Sequence, residues 1–299
     1  MSAVNEEPSS NKQERELTNE HHAIDTTLPD TMALRAEVIG VQKAKRDLLS
    51  LFVLAVLAGA FIGFGGMFAT VVTAGAEGAM PFGVTRLLAG LVFSLGLILV
   101  IVGGAELFTG NALIILAWAS RKVSTPALLR NWVIVFAGNL VGGMATAGLV
   151  FASGQYQFGE GAVGAAALAQ ANAKGALGFG QALTLGVLCN VLVCLACWLC
   201  YSARSTTDRI IAIIFPIAAF VAGGFEHSVA NMYAIPIGLM IEAWAPPEFW
   251  QAIGRTAADY PSLSWARFGH NLLPVVIGNI IGGGALVGGV YWMVYLRKR

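Results

Sequence analysis

Two apolar runs in this sequence, residues 87 to 118 and residues 210 to 244, are longer than a membrane crossing requires. A hydrocarbon core of about 30 Å is spanned by about 20 helical residues. Runs exceeding 30 residues would form unbroken helices of about 45 to 50 Å. Each run also carries a glycine pair and a glutamate near its middle: Gly103, Gly104 and Glu106 in one, Gly223, Gly224 and Glu226 in the other. Breaks in both helices are the economical reading, because interrupted helices bring irregular backbone to a cavity at membrane depth. Four further runs, 48 to 72, 132 to 152, 177 to 201 and 272 to 296, have ordinary spanning length. With 57% hydrophobic and 12% charged residues, the chain reads as an all-α polytopic membrane protein of six transmembrane helices, the second and fifth broken. A net charge of +1 and the lack of a long basic block argue against a nucleic-acid partner.

The ends follow from composition. Residues 1 to 26 are polar, with no apolar core leading to a small-residue cleavage site, and read as a disordered cytoplasmic tail. In residues 27 to 47, Thr27 and Asp30 form a capping-box-like pair and Pro29 stands in the first turn, which predicts a helix. Its stripe of Leu34, Val38 and Val41, with Lys43, Lys45 and Arg46 near the membrane, suits a helix lying at the interface; a solvated lead-in helix is the alternative. Residues 48 to 299 read as the transmembrane domain, which holds all six spans. One side of the membrane receives Lys43, Lys45, Arg46, Arg121, Lys122, Arg130, Arg204, Arg209, Arg297, Lys298 and Arg299; the other receives Arg86, Lys174, Arg255 and Arg267. That bias places both termini in the cytoplasm of a plasma-membrane protein, a bacterial inner membrane being the expected one.

The chain repeats itself. "GGAELFTGN" (Gly103 to Asn111) matches "GGFEHSVAN" (Gly223 to Asn231) at G-G-x-E-x-x-x-x-N, and "GNLVGG" (Gly138 to Gly143) is echoed by "GNIIGG" (Gly278 to Gly283). Two echoes in one order imply two halves, about 48 to 153 and 177 to 296, of three spans each. An odd number of spans inverts the second half, giving a 3+3 inverted repeat.

In such a fold the broken helices meet near the midplane and direct half-helix ends at a small charged solute. Glu106, Glu226, Asn111, Asn231 and His227 supply polar groups there, and Phe93, Leu97, Leu107, Phe108 and Phe220 supply apolar constrictions. Shared by both halves, the glutamates and asparagines read as structural, tying down broken backbone. His227 stands opposite Leu107 in the repeat, so symmetry does not explain it, and imidazole exchanges a proton near neutral pH. It is the expected pore residue. Lys174, just ahead of the fourth span, is either a headgroup-level lysine or a vestibule lysine that concentrates anions.

Enzyme and metal readings fare poorly. Cys194, Cys197 and Cys200, with Cys189 just before them, lie within the fourth span, where residues three apart drift around the helix instead of enclosing one metal. A membrane-embedded redox subunit with haem would need a second intramembrane histidine, and only His270 is near enough to a span. Ser228 beside His227 is mere adjacency, since neighbouring side chains on a helix diverge by about 100°. No cofactor is expected. Gly59 and Gly63, Gly138 and Gly142, and Gly278 and Gly282 are small-xxx-small pairs that let helices approach closely.

"GGAELFTGN", "CNVLVCLACWLCYSAR", "FVAGGFEHSVANMYAIPIGL" and "NLLPVVIGNIIGGGALVGGVYW" resemble the signature segments of the formate/nitrite transporter family, over a stretch from about Thr27 to the C-terminus. The resemblance implies an aquaporin-like protomer, a homopentamer with one pore per protomer, and passage of small monovalent anions. By the same resemblance His227 is the central pore residue, Thr109 lies on the loop breaking the second helix, Lys174 precedes the fourth span, and Asn190 is the asparagine that partners the histidine. It also implies that a weak-acid anion gains a proton on entering the constriction and crosses as the neutral acid. "PPEFW" and "NMYAIPIGL" resemble the formate branch, whereas "ELFTGN" and "FGHNLL" lean towards the nitrite type. Formate is the expected substrate, with nitrite, hydrosulfide or a short monocarboxylate as alternatives.

Overall fold

In a computed structural model that describes residues 27 to 298, the chain is helical throughout, and no strand occurs among the described residues. Helix α1 covers Pro29–Lys45, α2 Leu48–Thr73 and α3 Phe82–Gly103. After a break, a tight turn of helix at Gly110–Ile114 leads into the short α4, Ile115–Ala119. Then come α5 (Thr125–Ala152), α6 (Ala162–Gly175), α7 (Phe179–Ser202) and α8 (Thr206–Ala222). After a second break follow α9 (Ser228–Trp244), α10 (Pro247–Ile253) and α11 (Trp265–Asn279). The last runs through a π-helical stretch, Ile280–Gly289, into α12, Val290–Tyr295. The tail read from residues 1 to 26 lies outside the described residues.

Five helices are long and apolar enough to cross a bilayer: α2, α3, α5, α7 and the continuous stretch Trp265–Tyr295. The fifth apolar run is missing from that set because it is cut into two pieces of 17 residues, α8 and α9. Each piece is only about 25 Å long. The chain is thus a multi-pass membrane protein with two interrupted helices.

Both interruptions use glycine in the same way. Gly104 (φ +77°) follows α3 and Gly224 (φ +71°) follows α8, and both adopt the left-handed conformation that a Cβ disfavours. Ala105 N–H then returns to Val100 O at 2.9 Å, and Phe225 N–H returns to Phe220 O at 3.1 Å, closing the last turn in each case. Close helix packing also depends on glycine. A Cβ at Gly142 would lie 2.0 Å from Val56 O, and one at Gly282 would lie 2.2 Å from Val187 O, so α5 sits directly on α2 and α11 with its continuation directly on α7. Any side chain at these positions would force the helices apart.

Two features differ from expectation. The stripe Leu34, Val38 and Val41 is not the buried face of α1: Val38 is 54% exposed, and the buried residues are Met32, Ala33, Ala36, Glu37, Gly40 and Ala44. The small face wins because alanine and glycine let α1 come close to the segment after the first break, where a Cβ at Gly40 would stand 3.0 Å from Ala117 Cβ. The Thr27 capping box does not form either; Leu28 is the N-cap, without a side-chain cap bond, and Pro29 opens the helix. In addition, the alanine-rich residues ahead of the fourth span form α6, a helix the apolar runs did not reveal. It packs on α9, where a Cβ at Gly238 would meet Ala171 Cβ at 2.4 Å.

Candidate functional site

The breaks expose backbone groups that a membrane interior cannot hydrate, and buried side chains satisfy them. At the first break Asn139 accepts from Phe108 N–H at 2.9 Å and donates to Ala55 O at 2.7 Å and Glu106 O at 3.0 Å. At the second, Asn279 accepts from Ser228 N–H at 3.0 Å and donates to Gly186 O at 2.8 Å and Glu226 O at 3.0 Å.

The two glutamates are almost fully buried, and a carboxylate in that position needs partners. Lys43 Nζ lies 2.8 Å from Glu106 Oε2, and Asn111 Nδ2 donates to the same oxygen at 2.8 Å and to Asn131 Oδ1 at 2.9 Å. Around Glu226 the arrangement recurs: Lys174 Nζ lies 2.6 Å from Oε1, while Asn231 Nδ2 donates to Oε2 at 2.7 Å and to Asn271 Oδ1 at 2.7 Å. Asn131 then donates to Lys43 O, and Asn271 to Lys174 O. The side chains of Glu106, Asn111, Glu226 and Asn231 thus bond other side chains, and the broken backbone they were expected to tie down is held by Asn139 and Asn279 instead. Lys43, Asn131 and Asn271 complete the two sets from outside the repeated motifs. A signal for the asparagines does exist: "RN" (Arg130, Asn131) precedes "GNLVGG" by the same interval as "HN" (His270, Asn271) precedes "GNIIGG".

His227 caps α9. Its Nδ1 accepts from Ala230 N–H at 3.1 Å, and its Nε2 lies 3.0 Å from Thr109 Oγ1. A ring that accepts at Nδ1 carries its proton on Nε2 when neutral, so the imidazole donates to the threonine hydroxyl oxygen. The hydroxyl proton of Thr109 remains available to a passing group. Phe220 stacks against the imidazole, with centroids 5.8 Å apart, and meets Phe93 edge-on at 5.6 Å. Leu97 and Leu107 are also buried nearby in the same hydrophobic cluster. Asn190 does not bond His227: its Nδ2 donates to Thr109 O at 3.2 Å and to Asn279 O at 2.6 Å. Its bond within this cluster is to the backbone of the residue that faces the histidine. Cys194 Sγ adds a second, weaker bond to the same Thr109 carbonyl at 3.4 Å.

Two cavities approach this cluster from opposite ends of α3, α7 and α8, sharing no lining residue. The larger, 560 Å³, ends at Phe93, Phe220 and His227, and its charged lining is Arg86, Lys174 and Glu226. The smaller, 370 Å³, reaches Leu97 and Leu107 and is lined by Arg35, Lys43, Arg46, Arg209 and Glu106. Both cavities therefore carry more cations than carboxylates, which favours anions. Lys174 is not a headgroup lysine; it stands in the last turn of α6 with 15% of its side chain exposed and its charge against Glu226.

A sequence model of the family described as "Formate/nitrite transporter" matches residues 30–293. This chain belongs to the formate/nitrite transporter family. It is 46% identical over 275 residues to the formate channel FocA of Escherichia coli strain K12, covering 92% of this chain and 96% of that protein. Among solved structures, a pentameric formate channel with formate bound superposes with a TM-score of 0.80 at 47% identity, over 84% of this chain and 98% of that one. An FNT family ion channel gives 0.75 at 28% identity, over 88% and 98%. The family match takes in both breaks, both cavities and the His227–Thr109 pair. Its boundary at residue 30 also brings α1 and Lys43 inside the family unit, consistent with α1 packing on the first break.

Proposed function

We propose that this protein conducts formate across the membrane as a homopentamer, each protomer holding one pore through its His227–Thr109 pair. The observation that carries the reading is a cationic cavity at either end of an apolar neck whose one polar pair is neutral. The names of its relatives, formate channel and pentameric formate channel with formate bound, support the substrate and the assembly. The hydrogen-bond sets that recur in the same order in both halves support a 3+3 inverted repeat, and the lysine and arginine bias supports cytoplasmic termini.

The mechanism follows from desolvation. A bare anion between Phe93, Phe220, Leu97 and Leu107 would lose its hydration with little in return. Taking up a proton from solvent on entering the neck removes that penalty; formic acid then crosses as a neutral molecule past the imidazole N–H and the threonine hydroxyl and returns the proton to solvent on the far side. Lys174 with Glu226 shapes the larger mouth, and Asn190 keeps Thr109 in register with His227.

Labelled-formate flux in proteoliposomes tests this reading. The wild type takes up formate, with competition by nitrite, lactate and hydrosulfide ranking the substrates. His227→Leu, which copies the residue at the equivalent position of the first repeat, is expected to lower flux by about tenfold or more while the oligomer stays intact. A wild type that moves no formate would overturn the proposal.

A further inference from the structure

The charge that draws an anion into the larger cavity has a different owner from Lys174, the vestibule lysine that the sequence offers. Lys174 is matched by Glu226 at 2.6 Å, so the pair presents almost no net charge beyond its immediate surroundings. Arg86 is the other cation in the lining, and among the described residues no carboxylate pairs with it. Its guanidinium is fixed by the broken end of α8: Nε donates to Ala222 O at 3.2 Å, and Nη2 donates to Val221 O. Two of its five N–H groups are thereby used, and three remain. The helix end offsets a fraction of the charge, about half a unit at most, where Glu226 offsets a whole one against Lys174. Gly224 makes room for the group, since a Cβ there would stand 3.2 Å from Nη2. Apart from His227 at its inner end, the rest of the polar lining is uncharged: Thr70, Thr73, Thr85, Gln170 and Gln181.

We infer that Arg86 is the anion-docking residue of the larger cavity, presenting a pre-positioned guanidinium to a small monovalent carboxylate before it reaches the neck. Its planar fork suits a carboxylate better than an ammonium would. Because Arg86 sits at the last turn of α8, an anion docked on it stands close to the break that carries His227. This inference rests on the anion-conducting function proposed above.

The test is the concentration dependence of formate uptake from the cavity's own side, measured in oriented proteoliposomes at several ionic strengths. Arg86→Gln keeps hydrogen-bond donors for the α8 carbonyls but removes the charge. It is expected to raise the half-saturating formate concentration about fivefold, with maximal flux nearly unchanged, and to flatten the salt dependence. Arg86→Lys keeps the charge and should stay near the wild type in half-saturation. Wild-type half-saturation in Arg86→Gln, or equal defects in both variants, would assign Arg86 to capping alone. Independently of any variant, formate should protect Arg86 of the intact protein from phenylglyoxal, read by mass spectrometry, and equal labelling with and without formate would sink the inference. A wild type that takes up no formate overturns the function itself, whereas a conducting wild type with an indifferent Arg86→Gln overturns only the docking role.

Discussion

At the first break Glu106 is held by Lys43 and Asn111, and Asn139 takes up the loose backbone; at the second, Glu226, Lys174, Asn231 and Asn279 do the same work with nearly the same distances. Of the positions at which the two breaks and their supporting helices differ, three bear on the neck. Leu107 stands where the second break has His227, and Val229 stands where the first has Thr109. The third lies on the supporting helices, whose register is set by Leu54 O and Leu185 O, the acceptors of Glu106 N–H and Glu226 N–H. In that register Gly59 on α2 stands where α7 has Asn190. These three odd residues, Thr109 from the first break and His227 and Asn190 from the second half, form one connected set: Asn190 holds Thr109, and Thr109 faces His227. What the halves share supports the breaks, Asn139 and Asn279 through backbone and the glutamate sets through side chains. Three residues they do not share meet in the neck.

The sharpest way to break that comparison is to remove its common part. Asn139→Leu and Asn279→Leu each strand two hydrogen-bonding groups of a break, at about 1 to 3 kcal/mol apiece, and remove a second bond from a helical carbonyl. Both variants are expected to lose the assembled protein, read by size exclusion and thermal melting. Harm from only one of them would mean the two breaks are not equivalent supports.

A smaller effect belongs to the odd residues. Thr109→Val installs the residue of the other break and leaves the His227 Nε2–H without its acceptor. Formate flux should fall about tenfold, the size of one buried hydrogen bond, with melting temperature nearly unchanged. A variant that conducts normally would detach the threonine from the pathway.

The smallest effect concerns how the two halves begin. Asp47 caps α2 by accepting from Ser50 N–H at 2.9 Å, while the equivalent cap of α7 is Gly178, with no side-chain bond. The Ser50 bond holds the exposed Asp47 carboxyl below its ordinary value. A depressed folded value means the cap stabilises the protein above the unfolded pKa and fades as pH falls through the folded one. Asp47→Gly should lower the melting temperature slightly near neutral pH, and the difference should vanish in acid. A difference that persists in acid would point to backbone flexibility at residue 47 as the cause.

Much of this was legible in the residues. The lengths of the apolar runs and the placing of Gly-Gly-x-Glu located both interruptions, because a helix of given rise must fit a bilayer of given thickness and a left-handed turn needs glycine. The asymmetry between Leu107 and His227 singled out the histidine before any partner was known. Helix α6 stayed hidden because an alanine-rich amphiphile carries little hydropathy signal. The docking face of α1 differs from its apolar stripe because the alanines and glycine that permit close approach look less hydrophobic than Leu34 and Val41, which are partly buried, and Val38, which stays exposed.

Local sequence therefore determined the number of apolar segments, the two breaks and the residues repeated around them, since each depends on spacing along the chain. Tertiary structure alone decided the pairings: Lys43 with Glu106, Lys174 with Glu226, Thr109 with His227, and Asn190 with Thr109 instead of the histidine. Those contacts join helices that meet only when the two halves close around the neck. No periodicity along one helix can report which side chain waits on another.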